Sequence, residues 1–136
     1  MQGRFDIAGD AARAFAVLRQ GGIAILPMDG GYSLIGGSEA ALGKIFETKG
    51  RSAAKLNAMV GNEAIHQAIH RIDQQARDVV QAITVDADLP LGVIAPCDPS
   101  HPLLQALSLD GSSKDGTIAL LMNAGPFHEA ISSLSL

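Results

Sequence analysis

The sequence predicts an α/β fold of mixed α+β character, an open twisted mixed sheet covered by helices. Helix-period and strand-like segments alternate along the chain, the pattern of a sheet with helices packed on it. Short apolar runs such as Ile23 to Pro27 and Thr117 to Met122 are bounded by turn residues, as strands are. No repeat, low-complexity tract or linker divides the 136 residues, so a single domain over 1–136 is expected.

Composition narrows the function classes. With 47% hydrophobic residues the chain can bury a core, and a formal charge of -4 argues against nucleic-acid binding through net charge, leaving only a local basic patch. Cys97 is the sole cysteine, so no intramolecular disulfide can form and nothing points to an oxidising compartment. No apolar run approaches the roughly 20 residues that span a bilayer, and the N-terminus lacks a cationic segment followed by an apolar one. A cytoplasmic location is expected.

The elements follow in order. Asp10 is the expected N-cap of a first helix with Ala11, Ala12, Phe15 and Leu18 on one side, ended by Gly21-Gly22. Strand, tight turn and strand then run from Ile23 through Asp29-Gly30-Gly31 to Ile35, and Gly36-Gly37 breaks the second strand. A helix from Ser38 carries Leu42, Ile45 and Phe46 on one face and ends at Thr48-Lys49-Gly50-Arg51. Leu56 to Val60 reads as a short strand. Asn62 opens a helix with Ile65, Ala68 and Ile69 inward, and Asp73 another with Ala76, Val79, Val80 and Ile83 at helical spacing. Leu91 to Ala95 is a strand closed by Pro96, and Pro99-Ser100 opens a short helix through Leu104 and Leu107. Asp110 to Gly116, without an apolar anchor, reads as a surface loop. Thr117 to Met122 is the expected central strand, and Pro126 to Leu134 the last helix, with Phe127, Ala130, Ile131 and Leu134 inward.

The chemistry concentrates between Ile23 and Asn57. Lys49, Arg51 and Lys55 fall within seven residues where the chain leaves a helix. Lys49 alone is what a helix C-terminus prefers, worth a few tenths of a kcal/mol. Arg51 and Lys55 lie past that end, where their mutual repulsion needs an anion or solvent; a triphosphate supplies the anion, and Arg offers the planar fork that fits it. Asp29-Gly30-Gly31 also has two readings. One is a hairpin with the positive φ of a primed turn; the other is a turn whose backbone N–H groups receive a small carboxylate or bicarbonate.

These residues resemble the YrdC-like family of threonylcarbamoyl-adenylate synthases and relatives. The family signature is a strand ending Pro-Thr-Asp-Thr, an aromatic, Gly and Leu, then Lys-x-Arg about fifteen residues later. This chain keeps Pro27, Asp29, Tyr32, Leu34 and Lys49-Gly50-Arg51, and departs at Met28, Gly30 and Ser33. The resemblance covers roughly the first 60 residues and implies nucleotide binding by Lys49, Arg51 and Lys55. Substrate binding by Asp29, Gly30 and Tyr32 follows from it too. It also implies a mixed sheet with a concave face for ATP with magnesium. In the family the site is completed by Ser-x-Asn on a later strand, absent here; the polypeptide is therefore expected to be incomplete at its C-terminal end and to continue beyond Leu136. Lys49 and Arg51 are expected to face the cleft of Asp29 and Tyr32.

Three functions follow. The first is a nucleotidyltransferase that condenses ATP, L-threonine and bicarbonate to threonylcarbamoyl-AMP and pyrophosphate for tRNA modification. No catalytic residue is assigned to it, and the hydroxyl-free turn at Met28 and Gly30 alters the threonine site. The second is a non-catalytic ATP- or double-stranded-RNA-binding module, and the third a small-molecule-binding or structural paralogue. His66 and His70, four apart beside a core face, lack a third ligand, so no metal site is expected. His101 and His128 receive no role. Cys97 reads as a buried thiol, and Met28 and Met59 as packing residues.

Overall fold

The computed structural model describes residues 6–50, 57–105 and 113–135. The first helix, α1 (Ile7–Arg19), starts before the expected cap: the Asp6 carboxylate accepts from the Gly9 N–H at 3.0 Å. Asp10 instead lies inside the first turn, where its charge suits the helix dipole and it pairs with Arg13. Strands β1 (Ile23–Met28) and β2 (Gly31–Gly36) form an antiparallel hairpin with Leu26 opposite Ser33 and Met28 opposite Gly31. Its inner face carries Ala24, Leu26, Met28 and Ile35 against α1 and the last helix, and its outer face carries Ile25, Pro27 and Tyr32.

The hairpin turn departs from the expected primed geometry. Neither Asp29 nor Gly30 has positive φ; the left-handed residue is Gly31, at 127°. Asp29 is held instead by its backbone N–H, which donates to the Ala124 carbonyl at 2.9 Å, so a tertiary bond overrides the local turn preference. The primed turn appears at Asp115 and Gly116, with φ of 55° and 75°, joining β5 (Ser113–Lys114) to β6 (Thr117–Met122). The surface loop expected over 110–116 is thus partly strand; 110–112 lie outside the described residues.

Helix α2 (Glu39–Lys49) is capped by Ser38, whose hydroxyl accepts from the Ala41 N–H at 3.1 Å, and closed by left-handed Gly50 at φ 60°. It packs directly on the hairpin, because a Cβ on Gly36 would stand 2.9 Å from that of Ala41. The expected strand at 56–60 is reduced to β3 (Met59–Val60): Asn57 and Ala58 precede it outside the strand, and Leu56 lies outside the described residues.

Helices α3 (Glu63–Ile69) and α4 (Gln74–Gln81) begin at the caps Asn62 and Asp73. A π-helical turn, Ala82–Asp86, continues α4, and the Thr84 hydroxyl donates to the Val80 carbonyl within it. Val79 is 55% exposed rather than inward; of that helix only Val80 reaches the core fully. Strand β4 (Leu91–Pro96) follows, then α5 (Pro102–Gln105), with Leu107 outside the described residues. Helix α6 (Pro126–Ser133) buries Ile131 and half-buries Phe127 and Ala130, whereas Leu134, past its end, is 41% exposed.

Among the described residues the sheet order is β3-β6-β4, with β5 also on β6; β3 runs parallel to β6 and β4 antiparallel. Thr117 to Met122 is central, as its apolar content required. Ile118, Leu120 and Met122 pack one way against Ile65, Ile69, Val80 and Leu104. A second cluster joins Ala11, Leu18, Leu26 and Ile131, with the half-buried Val60 of β3 packed on it. The sheet therefore separates two cores, and the hairpin belongs to the second.

Candidate functional site

The hairpin tip and the start of α6 meet at Asp29. Pro126 opens α6, where its missing N–H costs nothing, and Gly125 precedes it with φ 109°. A Cβ on Gly125 would lie 2.5 Å from Asp29 Oδ1, so glycine gives the carboxylate its place at the N-terminal end of the helix. That end carries partial positive charge and favours an anion. A groove of about 490 Å³ opens beside it, lined by α1, β1 and the Ala124 to Phe127 segment.

His128, one turn into α6, is fully buried, and its Nε2–H donates to the Leu121 carbonyl at 2.7 Å. That bond leaves Nδ1 as a buried lone pair without a partner among the described residues. Burial holds its pKa below the usual imidazole value, opposed by the Leu121 bond and by the charges of Glu129 and Asp29. No local pattern announces this role, because the partner Leu121 comes under the helix only when α6 folds back on β6.

Of the other predicted substrate residues, Gly30 is exposed at the turn with open space beside it. Tyr32 stands opposite Pro27 on the outer face, 82% exposed. Lys49 is the exposed last residue of α2 and makes no ion pair among the described residues. Arg51 and Lys55 lie outside the described residues. Asp29, Gly30 and Tyr32 thus share one hairpin end, while no hydrogen bond or ion pair among the described residues ties Lys49 to them.

His66 and His70 are both fully buried, against the expectation that they lie beside the core face. Their Nδ1 atoms are 2.8 Å apart, and His70 Nε2 contacts the Ile118 carbonyl at 3.1 Å. A carbonyl only accepts, so His70 carries its hydrogen on Nε2 and accepts at Nδ1 from His66; the tautomers are assigned from these partners. His66 Nε2 is then a bare lone pair with no partner among the described residues. Burial lowers both pKa values; Arg77 reinforces this at each, the neighbouring His66 adds to it at His70, and Glu63 opposes it at His66. Through His70 and the Ile118 carbonyl the pair ties the end of α3 to β6. Among the described residues no group of three or more His, Cys, Asp or Glu could hold a metal ion.

Cys97 is half-buried, and its thiol lies 3.5 Å from the Gly116 carbonyl. Among the described residues, no helix is long and apolar enough to cross a membrane.

Comparison with known proteins places this geometry. Among solved structures, a hypothetical protein from Streptococcus mutans UA159 is 20% identical with a TM-score of 0.78, covering 89% of this chain and 50% of that one. Sua5 of P. abyssi, solved with L-threonine, is 18% identical with a TM-score of 0.72, covering 94% of this chain and 36% of its own. These likenesses show the fold, and this chain spans half or less of each structure's length. No curated protein matches the chain significantly. The Sua5/YciO/YrdC family model, described as "Telomere recombination", matches residues 16–135. Its match takes in the Asp29 hairpin, the cationic segment and the central strand, and the chain belongs to the Sua5/YciO/YrdC family.

Proposed function

We propose that this chain forms the nucleotide-binding portion of a threonylcarbamoyl-AMP-synthase-like protein whose threonine site is altered. The observation that carries the reading is the position of Asp29: the acidic residue of the family signature is seated against Gly125 at the start of α6 and exposed at the hairpin turn. Lys49, Arg51 and Lys55 would contact the phosphates of ATP, whose negative charge their side chains complement. Magnesium would arrive with the nucleotide and neutralise phosphate charge, since it is bound through few protein ligands and keeps its waters. Asp29, Gly30 and Tyr32 would hold the amino-acid substrate, with bicarbonate at the turn N–H groups.

One observation favours binding over turnover. Met28 and Gly30 offer no hydroxyl at the turn, so a bound threonine would lack up to two hydrogen bonds, each worth about 0.5–1.5 kcal/mol net. Nucleotide affinity should therefore outlast threonine turnover, which leaves an ATP- or double-stranded-RNA-binding module as the second reading. Calorimetry with ATP and magnesium, beside a pyrophosphate assay with and without threonine and bicarbonate, tests both. ATP binding with slow or undetectable threonine-dependent release is expected. Brisk release would show the altered turn to be harmless, and no ATP binding would remove the nucleotide reading.

A further inference from the structure

A cavity of about 190 Å³ that shares no lining residue with the Asp29 groove lies between α1, α2, β2, β3 and α6. Phe15, Leu18, Leu34, Leu42, Met59 and Ile131 supply apolar walls, Asn57, Ser132 and Ser135 the polar ones, and among the described residues no Lys, Arg, His, Asp or Glu lines it. Protein interiors hold few voids larger than a water molecule, and an unfilled one lowers stability in proportion to its volume. Ser132 stands in the wall, 1% exposed, its hydroxyl without a partner among the described residues. A buried hydroxyl normally finds a partner, and rotation about one bond can turn it toward a guest. Apolar cavities of about 150 Å³ take up benzene, so this one has room for a single ring.

We propose that this cavity binds a neutral guest of about one ring that carries a single hydrogen-bonding group directed at Ser132. An anion or zwitterion is disfavoured, because burying a charge is costly where the described wall residues offer no counter-charge. The site is thus chemically distinct from a phosphate or amino-acid site and does not rest on the nucleotide reading.

Titration with p-cresol, toluene and benzoate, followed by calorimetry and by the methyl resonances of Leu34, Leu42 and Ile131, tests this. In the wild-type chain p-cresol should shift those methyls and bind about tenfold more tightly than toluene, with benzoate not binding. Ser132→Ala should reduce p-cresol to the toluene level, and Leu42→Trp, which fills the space, should abolish binding of both. Because the methyl shifts are read on the unaltered chain, the test does not depend on either variant folding. Absence of those shifts at saturating p-cresol and toluene would overturn the proposal, as would benzoate binding as tightly as p-cresol or an undiminished p-cresol preference in Ser132→Ala.

Discussion

The carboxylate of Asp29 occupies the space in which a side chain on Gly125 would begin. The two residues are 96 positions apart (125 − 29), yet an ideal Cβ on one falls 2.5 Å from an oxygen of the other, and the Asp29 N–H is bound to the neighbouring Ala124 carbonyl. Gly125→Ala would meet both this collision and the strain of φ 109°. We expect a loss of about 1–3 kcal/mol in chemical denaturation, partly recovered by adding Asp29→Gly, which removes the collision and leaves the strain. Equal stability of Gly125→Ala and wild type would refute the close approach.

Acid should weaken the fold. His66, His70 and His128 have pKa values lowered in the folded state, principally by burial. As pH falls below the ordinary imidazole value of about 6.5, the unfolded chain takes up protons first, so stability drops toward the lowered folded-state values. Above that value these groups add no pH dependence. Urea denaturation at pH 7.5 and 5.5 should give the lower stability at 5.5, with a smaller difference in the double variant His66→Leu/His70→Leu, where both ring partners are gone. A flat profile across this range would contradict the buried neutral tautomers.

Leu120 is fully buried on the central strand among Ile65, Ile69 and Ile118. Leu120→Ala should cost about 2–5 kcal/mol, enough to unfold a marginal domain near physiological temperature. A thermal melt indistinguishable from wild type would place the core elsewhere.

Lys49 offers the opposite test. It is exposed and unpaired among the described residues, so Lys49→Ala should change stability by no more than about 0.5 kcal/mol while weakening ATP binding several-fold. Arg51→Ala should weaken it more, through loss of the planar fork. Unchanged ATP affinity in both variants would leave the cations as surface charge.

How far the sequence discloses this molecule depends on whether a signal is local. Ser38, Asn62 and Asp73 were legible as caps because each side chain bonds a backbone N–H three residues on. Asp10 misled for the same reason, since Asp6 satisfies the same rule one turn earlier. Of the two Asp-Gly pairs among the described residues, Asp115-Gly116 adopts the primed turn; at Asp29 the bond to Ala124 decides. Within the site, the identity of Asp29 could be read from the hairpin motif, but its seat against Gly125 could not, nor could the burial of His66, His70 and His128. Ile118 becomes a neighbour of His70 only through the tertiary fold, and Leu121 a neighbour of His128 only when α6 folds back on β6.

The two-residue strand β3 has a consequence for the order in which the molecule assembles. Met59 pairs with Leu120, 61 residues later (120 − 59), and Asn62 donates to Glu129 and Ser133 of α6 at 3.2 and 3.3 Å. The β1–β2 hairpin closes over a two-residue turn and forms on the timescale of microseconds, whereas parallel pairing across such a separation must first meet the entropy of closing a long loop. The strand pairing of the hairpin can therefore form early, whereas the turn at Asp29, held by Ala124 and Gly125, and the anchor just downstream of the Lys49 to Lys55 stretch are both set late, after β6 and the start of α6 have been synthesised. A nascent chain would present paired hairpin strands before either the acidic turn or the downstream boundary of the cationic segment had been fixed.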